Sequence, residues 1–337
     1  MNKNKYQNHC KVCGNKLQKR GKNRNGSQRF FCKNCNKSNT IKKEYLTKAN
    51  ELKSFVNWLL DKQTKTQSSS INRRTFTNKT KWCWNIIPKI KSKNIESKFI
   101  VVDTTFLVKN VGVMVVRNEN YVLNYRWCKS ENYEDYYELL KGLKEPKFLI
   151  CDGDASLVKA ACKLWQNIEI QRCLFHICLN AKAKLGLRSP HKAVQELRTH
   201  ILKIASIDTI KKSNNWYEKF EDLCEKHKSF LEEKTSIIDY ETGEILKEIR
   251  KHKKPYSMIN MIKRLQKKER LFLFLKHDIP NTSNFVEGGI NARLKELIRC
   301  HRGVNLECQK RICEWYLASR SNQNIDEIIS ELLSEKH

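Results

Sequence analysis

Three acids stand apart in this sequence. Asp103 interrupts an apolar run, "FIVVDTTFLV"; Asp152 ends another, "KFLICDGD"; and Glu287 lies in "TSNFVEGGINARLKELIRCHRG". A turn explains an Asp-Gly pair at a strand end. Paired carboxylates at the ends of neighbouring strands are different chemistry, because two such charges repel unless a cation joins them. Hard oxygen donors suit Mg²⁺ or Mn²⁺, and two such ions can flank a scissile phosphate. A third carboxylate would complete the set, and Glu287, early in a helix, supplies it. Asp154 competes with Asp152 as the ligand, with an N-cap to the following helix as its other reading.

Four cysteines form a second pattern. Cys10 and Cys13 ("CKVC") and Cys32 and Cys35 ("CKNC") have two residues inside each pair and 18 between the pairs. That spacing presents four thiolates to one tetrahedral, structural Zn²⁺. So short a segment buries little apolar surface, so the metal supplies its folding energy. Arg20, Lys22, Arg24 and Arg29 lie between or beside the knuckles and suit a phosphate backbone.

The elements that must carry these groups follow from periodicity. "ANELKSFVNWLLDKQ" spaces Leu52, Phe55, Val56, Leu59 and Leu60 as one amphipathic helix. After the break "TQSSS", the stretch "INRRTFTNKTKWCWNII" lets Ile71, Phe76, Trp82 and Trp84 pack while Arg73, Arg74, Lys79 and Lys81 stay outside. Helix, break and basic helix outline a helix-turn-helix. From residue 99 the order reads three strands, helix, strand, helix, strand, with an Asn-Glu-Asn turn at residues 118–120. In that order the first and fourth strands can be neighbours in a mixed sheet, which brings Asp103 and Asp152 together. Between Asp152 and Glu287 lie 134 residues, too many for an unstructured loop. Helical periodicity fills most of them, and "TSIIDYETGEILKEI" can form a hairpin turning at Glu241 to Glu244. "KRICEWYLASR" reads as a helix covering the core.

Charge gives the partner class. The chain has 337 residues, 66 Lys and Arg, 36 Asp and Glu, and net charge +30. Residues 1–97 hold 24 Lys and Arg against 4 Asp and Glu, so +20 of the excess lies there. This is the footprint of a polyanion binder. No apolar run approaches the roughly 20 residues that span a bilayer, and the start has no secretory core. The expectation is a soluble cytoplasmic protein without membrane contact, its 14 cysteines thiols and metal ligands rather than disulfides.

The ordered acids, "QRCLFHICLN", "TSNFVEGG" and the later "HRG" together resemble the DDE transposases of the Mutator-like superfamily, in the bacterial insertion-sequence branch with an N-terminal zinc-binding region. The most specific parts are the Asp-Gly of the fourth strand, Cys173 and His176 as Cys-x-x-His, and Asn284 and Glu287 as Asn-x-x-Glu. The resemblance implies an α/β, ribonuclease-H-like mixed sheet with a helical insertion, and metal-dependent cleavage and joining of DNA. It favours Asp152 as ligand and Asp154 as cap, makes Asp103, Asp152 and Glu287 the catalytic set holding two Mg²⁺ or Mn²⁺ ions, and marks Cys173, His176 and Asn284 as signature residues beside it. Cys178 offers Cys173 and His176 a third ligand atom, but a packed thiol and a hydrogen-bonded imidazole account for the cluster without a second zinc.

The expected domains are a zinc ribbon at 1–45, a helix-turn-helix and linker at 46–97, the core's first part at 98–180, a mainly helical insertion at 181–278, and the core's C-terminal part with the Glu helix at 279–337. The expected partners are double-stranded DNA, as element terminal repeats and target, and a second copy of the chain in a dimer or larger assembly. Arg293, Lys295, Arg299 and Arg302 are further phosphate contacts. The competing functions are a zinc-ribbon DNA-binding protein without catalysis and a ribonuclease-H-like nuclease that does not join strands.

Overall fold

The computed structural model describes residues 9–10, 12–24, 28–40, 44–61, 65, 71–91, 94–239, 241–242, 244–283 and 287–334; at 39, 40, 44–46, 287 and 288 the backbone alone is described. The chain divides into two compact units, residues 1–86 with 325–337, and residues 87–324.

The first unit opens with three short antiparallel strands, β1 (Gln18–Lys22), β2 (Gln28–Phe31) and β3 (Ser38–Thr40), in that order. Its small core is Cys10, Leu17 and Cys32, with Cys13, Phe30 and Cys35 against it. Helix α1 (Glu44–Leu60) buries Leu52, Phe55, Val56, Trp58 and Leu59. Helix α2 (Arg73–Thr80) is capped by Asn72, whose side chain accepts from the Arg74 N–H, and buries Phe76. A short 3₁₀ turn, Lys81–Asn85, follows and places Trp84 edge-on to Phe55 and Trp58. The C-terminal helix α12 (Ile325–Ser334) packs on α1, with Lys53 paired to Asp326 at 2.6 Å. It closes this unit, whereas the sequence grouped it with the sheet.

The second unit is built on one five-stranded sheet. Its strands are β4 (Phe99–Val108), β5 (Val111–Arg117), β6 (Val122–Cys128), β7 (Phe148–Cys151) and β8 (Glu169–Arg172), ordered β6-β5-β4-β7-β8. The first three form an antiparallel meander, and β7 and β8 add in parallel. Parallel neighbours need crossovers; helices α3 (Tyr133–Leu140) and α4 (Ala155–Leu164) provide them. Both helices lie on one face, where Ile100, Val102, Met114, Leu149 and Cys151 meet Tyr136, Leu139, Leu157 and Ala161. β7 (FLIC), the middle of β5 and the first half of β4 (FIVV) are buried on both faces, whereas the second half of β4 and much of β6 are partly exposed. Helix α11 (Leu306–Ser319) packs against β6, and Trp127 Nε1 donates to the buried carboxylate of Glu314, which also pairs with Arg311.

After β8 the chain leaves the sheet for a helical body with its own core. Helices α5 (Leu174–Lys184), α6 (Lys192–Leu202), α7 (Ile210–Lys226), α8 (Lys228–Glu232) and α9 (Lys253–Lys267) surround Leu197, Ile201, Trp216, Phe220, Met258 and Ile262. From it projects the expected hairpin, β9 (Lys234–Ile238) and β10 (Ile245–Arg250). The chain returns through residues 271–283 to a π-helical turn at Glu287–Asn291 and helix α10 (Ala292–Cys300).

Candidate active site and zinc centre

β4 and β7 pair in parallel as Phe99 with Phe148, Ile100 with Leu149, and Val101 with Ile150. Two residues further along each strand come Asp103 and Asp152, so the register that pairs the strands aligns the two acids. Side chains alternate across a sheet, so both point to the face opposite Val102 and Cys151. Each is half-buried.

Asp152 Oδ1 accepts the Asp154 N–H at 2.9 Å, and Asp154 Oδ1 accepts those of Ser156 and Leu157 at 2.8 and 3.0 Å. Asp154 is therefore the N-cap of α4, and Asp152 keeps its second oxygen outside that turn. Gly153 between them has φ +85°, and the Arg172 guanidinium fills the space a β-carbon there would need. A side chain at 153 is excluded twice, by backbone conformation and by Arg172.

The segment carrying Glu287 is held on both sides. Before it, the Ser283 N–H and hydroxyl each donate to Cys173 Sγ at 3.2 Å, while the Leu174 N–H donates to the Asn281 carbonyl at 2.9 Å. Cys173 sits at the end of β8, and its own N–H donates to the Cys151 carbonyl at 2.8 Å, next to Asp152. After it, Asn291 Nδ2 donates to Asp103 Oδ2 at 2.6 Å, and the Tyr316 hydroxyl donates to the Gly289 carbonyl at 3.0 Å. Asn284 lies outside the described residues, and at Glu287 only the backbone is described.

Burial pushes the Cys173 thiol up, but hydrogen bonds from His176 and from Ser283 outweigh it and leave the thiol below its ordinary value. His176, in the first turn of α5, lies edge-on to Phe175. Cys173 is fully buried, and among the described residues no third ligand atom joins it and His176 in a metal-binding cluster.

Asn291 is buried, and its Oδ1 has no hydrogen-bond partner among the described residues. Asp103, Asp152 and this orphan oxygen are hard donors of the kind Mg²⁺ or Mn²⁺ takes. A cation or an ordered water would remove the cost of the unpaired oxygen.

The zinc centre is complete in its protein part. The four sulfurs of Cys10, Cys13, Cys32 and Cys35 lie within 4.8 Å of one another, with Cys10 to Cys35 at 3.5 Å and Cys13 to Cys32 at 3.4 Å. A tetrahedron with Zn–S bonds of about 2.3 Å requires sulfurs about 3.8 Å apart. The four thiols therefore fit one zinc ion, and the three strands around them form a zinc ribbon.

The basic candidates fall into distinct environments. Arg20, Lys22, Arg24, Arg29, Arg73, Arg74, Lys79 and Lys81 are all exposed on the first unit. Arg20 lies over the Phe31 ring, and Arg29 Nε donates to the Arg20 carbonyl. Lys295, Arg299 and Arg302 are exposed on and after α10, whereas Arg293 is engaged by Glu296 at 2.6 Å.

Asn291, Ser283 and Arg172 were not among the residues singled out from the sequence. The sequence did carry one signal for Asn291: it follows Glu287 by four residues, one helical turn, and so shares a face with it.

A mixed sheet of order β6-β5-β4-β7-β8, with an acid midway along β4 in register with one just past the end of β7 and a helical body inserted after β8, is the ribonuclease-H-like class of core. Residues 116–286, about half the chain, match the family described as Transposase, Mutator family, and the chain belongs to that family. The matched span includes Asp152, Cys173, His176 and Asn284; Asp103 and Glu287 flank it. No curated protein matches the chain. Among the described residues no helix is long and apolar enough to cross a membrane.

Proposed function

We propose that this transposase cleaves DNA at the ends of an insertion sequence and joins the freed ends to target DNA, with Asp103, Asp152 and Glu287 holding two divalent ions. The observation that carries this reading is the double tether of the Glu287 segment, through Ser283 to the end of β8 beside Asp152's strand and through Asn291 to Asp103. A polypeptide that leaves the sheet after β8 for a helical body and is fastened on return to the end of β8 and to Asp103 on β4 is built to bring that segment back.

When bound, the ions supply Lewis-acid stabilisation and an activated oxygen nucleophile. The protein's own groups do the rest. Asp103 and Asp152 hold charge at aligned positions of neighbouring strands, Asn291 fixes the Asp103 carboxylate through a charge-assisted bond, and the turn at Asp152 to Asp154 leaves one oxygen of Asp152 outside its own hydrogen bonding. The acids are not covalent nucleophiles in this scheme; water attacks first, and the freed 3′ hydroxyl attacks target DNA afterwards. Lys295, Arg299 and Arg302 are positioned for phosphate.

The zinc ribbon and the α1 and α2 helices, as a helix-turn-helix, recognise the terminal repeats in the cytoplasm. Exposed Arg73, Arg74, Lys79 and Lys81 around the buried Phe76 support that assignment, since base and phosphate contacts need cations outside a packed helix. Divalent-metal-dependent cleavage of DNA bearing the element ends tests the reading. Asp152→Asn is expected to abolish products and Asp154→Asn to retain them, with both variants binding DNA normally. Equal products from the parent and Asp152→Asn would overturn the catalytic assignment, and cleavage without joined product would assign a nuclease.

A further inference from the structure

The β9–β10 hairpin stands as its own two-stranded sheet. An isolated hairpin is marginal in water, yet this one is built firmly at both ends. At its base the Lys251 N–H donates to the Glu233 carbonyl at 2.9 Å, Lys251 and His252 both reach the Glu233 carboxylate, and Arg250 lies over the Tyr256 ring at 3.7 Å. At its tip Asp239 Oδ1 accepts the N–H groups of Glu241 and Thr242. Between these ends the strands bury nothing: Ile237 is 44% exposed, Ile238 48%, Ile245 64% and Leu246 63%. Ile238 and Ile245 are cross-strand partners on one face and Ile237 lies on the other, so the ordered hairpin offers exposed aliphatic side chains on both faces to a partner.

Charge selects that partner. Residues 235–246 contain Asp239, Glu241 and Glu244 and no Lys or Arg, in a chain of net charge +30. Such a tip repels DNA and fits a basic surface with apolar character. One lies at the root of the same arm, a groove of about 650 Å³ lined by Lys184, Arg188, Lys253 and Lys254, with Leu187 beside it 73% exposed. Arg188, Lys253 and Lys254 form no ion pair with a described residue. A five-residue strand spans about 17 Å, so the paired strands carry the tip away from its own groove.

We propose that the hairpin is a dimerisation arm whose acidic, aliphatic tip enters the basic groove at the arm root of a second copy, reciprocally about a two-fold axis. Each copy contributes one tip and one groove, as a closed isologous pair requires. The inference is independent of the catalytic reading, and its test needs neither DNA nor Mg²⁺ or Mn²⁺.

Sedimentation equilibrium and light scattering on the full zinc-loaded chain are expected to give a dimer. Ile245→Ser with Leu246→Ser, and separately Glu241→Lys with Glu244→Lys, raise the dimer dissociation constant at least about tenfold, as does Arg188→Glu with Lys253→Glu. The two charge reversals combined in one chain restore the dimer, which a misfolded variant cannot do, and unchanged thermal unfolding of the serine variant supplies the second control. A monomeric parent, a dimer indifferent to the tip substitutions, or combined reversals that stay monomeric would each overturn the proposal. So would tip variants that dimerise as the parent does while losing DNA binding.

Discussion

Asn291 donates its side-chain amide to the Oδ2 of Asp103 across 2.6 Å, joining the helical turn that begins at Glu287 to the central strand of the sheet. A hydrogen bond to a charged partner contributes about 1.5–3 kcal/mol, and a misplacement near 1 Å at a reacting centre costs about 10²-fold in rate. Asn291→Ala is therefore expected to lower metal-dependent cleavage by about 10²-fold while DNA affinity holds. Asn291→Asp opposes two carboxylates and lowers thermal stability, and added Mg²⁺ restores part of it. Melting curves with and without the ion check this; a variant indifferent to Mg²⁺ would remove the link between Asn291 and a metal site.

The zinc ribbon gives a prediction about protons. The Asn15 N–H holds the Cys13 thiol down at about 6, while burial and the Cys10 thiol push Cys35 up to about 12. One thiolate forms readily and another resists, so zinc must displace protons to bind, and affinity falls as pH falls. Metal analysis should find one zinc per chain at neutral pH and progressively less as the solution is made acidic. Chelation at neutral pH should unfold the ribbon and abolish DNA binding, with the sheet unit's unfolding transition retained.

Cys173 is expected to behave as an acceptor, not as a ligand or nucleophile. Its thiol value is depressed in the fold, so folding stability rises with pH between the folded and unfolded values and is lost as pH falls through the folded one. Cys173→Ser keeps an acceptor for Ser283 on a shorter side chain that does not ionise in this range, and so flattens that pH dependence, and Cys173→Ala lowers cleavage further by freeing the Glu287 segment. Urea midpoints on either side of the interval, beside cleavage rates, measure both. Equal pH dependence in the parent and the serine variant would contradict the tether.

Much of this molecule was legible because its strongest signals are local. Buried strands such as "FLIC", amphipathic stripes such as Leu52, Phe55, Val56 and Leu59, and two Cys-x-x-Cys knuckles each declare themselves within a few residues. The alignment of Asp103 with Asp152 was legible one level higher, from element order alone. The hairpin at Lys234–Ile238 and Ile245–Arg250 was readable only as one of two forms, since its aliphatic residues have no core whose period they must match. Ser283 with Cys173 and Asn291 with Asp103 were not legible at all. These are single hydrogen bonds between residues 110 and 188 positions apart, and a lone Ser or Asn in a loop or helix carries no periodic trace of its partner. Gly153 looked like an ordinary turn residue; that Arg172 needs its empty side is a fact of packing.

Helix α12 rests on α1, and this has a consequence for the order in which the chain is finished. The unit formed by residues 1–86 is closed by residues 325–334, which leave the ribosome after the entire sheet unit. Until then Ile328, Ile329 and Leu333 are absent from their place on α1, and the nascent basic segment has no complete shape to offer. Loss of residues 325–334 would therefore be felt at residues 44–60, leaving an intact sheet unit and an unsealed α1.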